Sequence, residues 1–304
     1  MSTTAILVTG LIKRYGVVKA VDGLDLEVPH GTVAALLGPN GAGKTTTVEC
    51  CEGYRRPDQG RVAVLGLDPV ADGGRLHPRI GVMLQAGGIP PAVRAGEMLR
   101  HMARFYRHPV DPALLIERLA LSAALKTQYR RLSGGQQQRL ALALIGRPEL
   151  VFLDEPTAGL DPQGRRATWE LVAELKASGV TVLLTTHAME DAERLADLVF
   201  IIDHGRLKAE GSVQEITSRA GSVARFAASH PIPPEELEGA LPGALKVAFA
   251  GNRYEVTGNV GPQVIAALDA WCAARGVSVE GLEIRRRGLE DVYLDLTGRE
   301  QRGG

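Results

Sequence analysis

The sequence predicts an α/β core with a helical insertion, followed by a small α+β domain. Three observations carry that expectation. Short, wholly apolar runs occur at residues 33–37 and 150–153, with a third, mostly apolar, at 181–185; such runs suit strands buried on both faces of a parallel sheet. Residues 169–178 have helical spacing between the last two runs, which makes a strand–helix–strand unit with a parallel pair. Beyond residue 222 the elements read in the order β-α-β-β-α-β, that of a ferredoxin-like split unit.

In chain order, the first apolar run feeds a glycine-rich turn at Gly38, and residues 45–54 follow as a helix. Residues 87–147 read as a mostly helical subdomain, with apolar residues at helical intervals over 97–107 and 112–120. The core domain is placed at 1–217. A small, polar stretch at 218–222 and three prolines at 231, 233 and 234 mark a boundary, and the second domain is placed at 222–304. There the expected elements are a strand at 224–227, a helix at 234–240, strands at 245–249 and 253–257, a helix at 262–275, a strand at 278–284 and a helix at 289–296.

Composition narrows the class. The 304 residues are 45% apolar and 23% charged, which suits a chain with a real core. Lys+Arg and Asp+Glu are both 35, so net charge gives no pull toward nucleic acid or anionic lipid, and no nucleic-acid partner is expected. No apolar run approaches the roughly 18–20 residues that span a bilayer, and the first residues lack the pattern of a signal peptide. The cysteines, Cys50, Cys51 and Cys272, have no metal or redox spacing and read as small apolar side chains.

Chemistry is concentrated in three segments. Gly38-Pro39-Asn40-Gly41-Ala42-Gly43-Lys44-Thr45 fits G-x-x-x-x-G-K-[ST] throughout, between a strand and a helix, with Thr46 next along that helix. Its glycines let backbone N–H groups converge on phosphate oxygens, and the helix adds the positive end of its dipole. In this pattern Lys44 reaches the β- and γ-phosphates and the Thr45 hydroxyl ligates Mg²⁺. Val151-Phe152-Leu153-Asp154-Glu155 is an apolar strand ending in two carboxylates: Asp154 to hold Mg²⁺, Glu155 to polarise an attacking water. Leu132-Ser133-Gly134-Gly135-Gln136 precedes a helix over 137–145, with Ser133 at the N-cap and two glycines baring the helix start. A second anion site makes sense if two copies pair head-to-tail, each presenting Ser133 to the phosphate on the other's Lys44 loop.

With these motifs in order, residues 5–215 resemble the nucleotide-binding subunits of ATP-binding cassette (ABC) transporters. The resemblance implies a P-loop cassette with a mixed sheet and a helical insertion, ATP and Mg²⁺ as ligands, and a homodimer of cassettes when ATP is bound. It also implies roles. Tyr15, in Arg14-Tyr15-Gly16, stacks on adenine. Gln85 touches Mg²⁺ and the attacking water and faces the membrane subunit. Ser133, Gly134, Gly135 and Gln136 form the signature motif. Asp161, in Ala158-Gly159-Leu160-Asp161, lines the dimer interface, and His187 contacts the γ-phosphate. Glu155 and His187 are both present, as in a hydrolytic site. The stretch Gly288-Leu289-Glu290-Asp291-Val292-Tyr293-Leu294-Asp295-Leu296-Thr297-Gly298 is similar to the tail of bacterial drug and antibiotic exporter ATPases of the daunorubicin-resistance type.

The expected function is therefore an ATPase that drives a drug exporter through a separate multi-span permease, at the cytoplasmic face of the membrane. The alternatives are a lipid, polysaccharide or peptide transporter ATPase, or a regulatory ABC-type ATPase without transport. Arg285-Arg286-Arg287 reads as a solvated strand end, with contact to lipid or to an acidic surface as the other possibility.

Overall fold

The computed structural model describes residues 3–83, 89–104, 111–118, 121–143, 148–218 and 220–298. The chain divides into two compact units, Met1–Val213 and Gln214–Gly304.

The first unit opens with two long antiparallel strands, β1 (Thr4–Tyr15) and β2 (Val18–Pro29). Next come β3 (Val33–Leu37), α1 (Lys44–Glu52), β4 (Gln59–Val64), α2 (Gly73–Leu76) and β5 (Ile80–Met83). The insertion contributes α3 (Ala95–Ala103), α4 (Pro112–Arg118) and α5 (Gly134–Ala143). The chain returns through β6 (Leu150–Asp154), α6 (Pro162–Ala177), β7 (Thr181–Thr186), α7 (Met189–Leu195), β8 (Leu198–Asp203) and β9 (Arg206–Gly211).

The central sheet runs in the order β5-β6-β7-β3-β8-β9. It is parallel from β5 to β8 and closes with antiparallel β9, so it is a mixed sheet. Every residue of β3, β6 and β7 is buried, as the unbroken apolar runs require. Ordering a strand this way is repaid at roughly 1.5–3 kcal/mol for each large aliphatic side chain removed from water. A second sheet, β2-β1-β4, packs its apolar side chains (Val8, Leu11, Leu24, Val64) into the same core as Leu36, Phe152 and Phe200. The insertion has its own core around Leu99, Leu121, Leu132 and Leu140.

Between the units, α8 (Val213–Ser218) begins at the division. The sequence boundary at 217–222 falls a few residues later, because this short helix belongs almost wholly to the second unit. That unit contains β10 (Ser222–Ala228), α9 (Pro234–Ala240), β11 (Lys246–Ala250), β12 (Arg253–Gly258), α10 (Pro262–Ala273), β13 (Val279–Arg286) and α11 (Leu289–Thr297). Its antiparallel sheet has the order β11-β12-β10-β13, the ferredoxin-like arrangement. Phe226, Leu237, Tyr254, Val256 and Leu268 form its core. An apolar cleft of about 670 Å³ opens between α10 and β13, lined by Ile265, Leu268, Leu282 and Ile284 among others. Of the arginine run, Arg285 is paired with Asp291 and Arg287 with Asp295.

Candidate active site

The site forms where the buried parallel strands end. After Leu37 the chain turns through Gly38–Gly43 and enters α1 at Lys44. Gly43 caps the helix at φ 101°, and a Cβ there would stand 2.3 Å from the Ala20 carbonyl oxygen. Only glycine takes that backbone in that space. At Gly38 a Cβ would meet the Ile202 carbonyl oxygen at 2.5 Å, so strand β8 closes the other side of the loop. The turn is thus fixed by its neighbours as well as by its own glycines.

Lys44 is buried, and its Nζ donates to the Gly38 carbonyl oxygen at 2.7 Å. It also lies 3.4 Å from Glu155 Oε1. The Thr45 hydroxyl faces the Asp154 carboxylate at 3.3 and 3.5 Å. Thr185, at the end of β7, donates its hydroxyl to Asp154 Oδ1.

Glu155 follows β6 with φ 51°, a left-handed conformation that costs a non-glycine residue about 1 kcal/mol or more. Its N–H offsets that cost by donating to both the carbonyl oxygen and the hydroxyl of Thr185, at 3.1 and 3.0 Å. Its Oε2 lies 2.5 Å from His187 Nδ1. With the proton on Nδ1 in that bond, Nε2 is the free nitrogen of a ring that is 57% exposed. The buried Glu155 carboxylate is therefore held between a cation and an imidazole.

The sequence-predicted residues Lys44, Thr45, Asp154, Glu155 and His187 come together here. The signature segment lies elsewhere on the unit. Ser133 N donates to Gln136 Oε1 at 3.0 Å and Gln136 N to Ser133 Oγ at 3.3 Å, a reciprocal capping box at the start of α5. Ser133, Gly134 and Gly135 share a cleft of about 380 Å³ with Gly159, Leu160, Asp161 and Gly164. Asp161 caps α6 by accepting from Gly164 N at 2.7 Å. Tyr15 is exposed at the end of β1, with the Arg55 guanidinium 5.7 Å and the Lys13 ammonium 5.9 Å from its ring centre. Gln85 lies outside the described residues.

Two buried carboxylates escaped the sequence reading. Glu52, the last residue of α1, is 3% exposed. Burial, then the nearby charges of Asp154 and Glu49, push its pKa up to about 8. Asp191, early in α7, is fully buried and accepts from Thr157, Thr186 and Trp169. No local motif marks either residue, since each depends on elements distant in sequence. The three cysteines are buried free thiols, and burial pushes Cys50 up to about 11.

The donor set suits a hard divalent cation. One hydroxyl and one carboxylate, Thr45 and Asp154, face each other, and Mg²⁺ commonly takes that few protein ligands beside substrate phosphates.

Comparison with known proteins decides the family. The model described as ABC transporter matches residues 21–158. A daunorubicin resistance ATP-binding protein of Streptomyces coeruleorubidus is 38% identical, over 99% of this chain and 98% of its own. The chain belongs to the ABC transporter family. It is an ABC ATPase, and it binds ATP. A second relative, a Nod factor export ATP-binding protein of Ralstonia nicotianae, is also 38% identical, over 99% of this chain and 96% of its own. Among solved structures, the ATP-binding subunit of an ABC transporter aligns with a TM-score of 0.64 at 28% identity, over 71% of this chain and 92% of that one. The mixed sheet with its helical insertion is the ABC cassette fold.

Proposed function

We propose that this ABC ATPase powers a membrane exporter of drugs or other amphipathic compounds. The carrying observation is similarity along nearly the whole chain, second unit included, to a daunorubicin resistance ATP-binding protein. No helix among the described residues is long and apolar enough to cross a membrane. A separate multi-span permease supplies the path, and this chain works at the cytoplasmic face of the membrane.

The chemistry follows from the cluster. Lys44 and the amides of the Gly38–Gly43 turn bind the β- and γ-phosphates, with Tyr15 against adenine. Thr45, Asp154 and Gln85 would hold Mg²⁺, which would neutralise phosphate charge. Glu155 takes a proton from the attacking water, and His187 contacts the γ-phosphate. Ser133 and Gly135 of a second copy complete the site from across a head-to-tail homodimer, with Asp161 at the seam. Catalysis is positioning and charge stabilisation, and hydrolysis reopens the dimer and moves the permease. The Nod factor export relative favours a second reading, an ATPase for export of that kind of cargo.

The test is co-expression with a candidate multi-span permease in a drug-sensitive host. Drug efflux that is lost with Glu155→Gln supports the reading. Efflux unchanged by the substitution contradicts it.

A further inference from the structure

Asp191 stands outside the phosphate cluster, yet three segments of the site hang from it. Its carboxylate is fully buried. Oδ2 accepts from the Thr157 hydroxyl at 2.5 Å and the Thr186 hydroxyl at 2.9 Å, and Oδ1 accepts from Trp169 Nε1 at 2.8 Å. Buried charge is kept only where donors replace water, and here three do so.

The owners of those donors matter more than their number. Thr157 lies two residues after Glu155, in a segment folded back by Ala158 N to Glu155 O and Leu160 N to Thr157 O. Thr186 immediately precedes His187, and its hydroxyl also accepts from Ala188 N at 2.9 Å, which pins the turn on the far side of the histidine. Trp169 sits on α6, the helix that begins at Asp161 after the Ala158–Gly159–Leu160 loop. One carboxylate therefore ties the Glu155 loop, the His187 loop and the helix behind the seam loop into one frame. Glu155 and His187 touch each other at 2.5 Å, but both are at loop positions, and Glu155 has a left-handed backbone. Neither loop fixes the pair by itself.

We propose that Asp191 is a positioning residue for hydrolysis: it sets the distance between Glu155 and His187 and couples both to the Ala158–Asp161 loop. The inference rests on the roles proposed above for Glu155 and His187. Its chemical requirement is an acceptor at both oxygens. Asparagine keeps the volume but removes the charge and one acceptor: with its oxygen toward Trp169, its amide N–H groups face the two threonine hydroxyls, which must turn to accept. Thr157→Val removes a hydroxyl at constant shape, and Thr157→Ser retains it.

The experiment is steady-state ATPase kinetics with parallel nucleotide-binding titrations on the full chain. Asp191→Asn and Thr157→Val each lower kcat by about 10- to 100-fold, in the range that misplacing a catalytic group costs. ATP affinity and binding stoichiometry stay within two-fold, because Lys44 and Thr45 are untouched, and Thr157→Ser restores turnover. Loss of affinity in step with kcat, or Thr157→Val turning over normally, overturns the proposal. If Asp191→Asn does not fold, the Thr157 pair decides alone. Glu155→Gln run alongside separates the two claims. If that variant turns over normally, the proposed roles fail; if it is inactive while Thr157→Val is normal, only the Asp191 inference fails.

Discussion

The central sheet of the first unit and the sheet of the second unit are built for different purposes, and their burial shows it. In the first unit β3, β6 and β7 are buried at every residue and run parallel. In the second unit the antiparallel strands β11 and β13 leave most of their residues exposed. Parallel strands covered on both faces bring their carboxyl ends to one edge, where side chains such as Asp154 and those that follow, Glu155 and His187, gather in a partly dry environment. The antiparallel sheet offers no such edge. Its charges pair in the open, as Arg225 with Glu255 and Arg253 with Glu283 do. The lesson is that substitutions near the ends of the buried strands carry large effects, while the same chemistry on the second unit's sheet carries small ones.

The largest expected effect on stability is at the phosphate loop. Gly43→Ala forces a Cβ to within 2.3 Å of the Ala20 carbonyl oxygen at a φ that L side chains rarely adopt. The cost is about 3 kcal/mol or more, read as a fall in the denaturation midpoint together with loss of ATP binding. A midpoint unchanged by the substitution would show that β2 does not brace the loop.

A smaller effect is set by pH. Glu52 is raised to about 8 in the folded chain, above its ordinary carboxylate value. The folded state holds its proton more tightly than the unfolded one. That contribution is full below the unfolded value near 4.5 and is lost as pH rises toward 8. Glu52→Gln, which keeps the neutral shape, is therefore expected to raise Tm more at pH 8 than at pH 5. An equal shift at both pH values would contradict the burial argument.

The smallest effect is on the second unit's sheet. Arg225→Ala breaks a pair whose side chains are 40% and 31% exposed, and an ion pair of that kind is worth at most about 1 kcal/mol. Chemical denaturation should barely register it. A loss comparable to that at Gly43 would erase the contrast between the two units' sheets.

Much of this was legible in the sequence because the signals are local. The apolar runs marked β3, β6 and β7, and the proline-flanked stretches marked α9 and α10 nearly to the residue. Thr45 and Asp154 were legible through two local motifs, the Gly38–Thr45 loop and the apolar strand that ends in two carboxylates. The opening pair β1 and β2 was not. Its register shifts at several points and Gly10 takes φ 57°, so the alternation of buried and exposed residues is broken where a period of two would be sought. Glu52 and Asp191 were hidden for another reason. Each carries an ordinary acidic side chain on a helix, and only the packing of distant elements makes it buried. Helix bounds over 97–107, 112–120 and 137–145 reach into residues 105–107, 119–120 and 144–145, outside those described.

The central claim is that the Lys44–Glu155–His187 cluster hydrolyses ATP with Glu155 as the base. The direct measurement is steady-state phosphate release by Glu155→Gln beside the unaltered chain, with ATP binding followed in both. The account predicts that turnover falls by about 100-fold or more while ATP stays bound in a stable dimer. Turnover near that of the unaltered chain, at equal ATP occupancy, would contradict it.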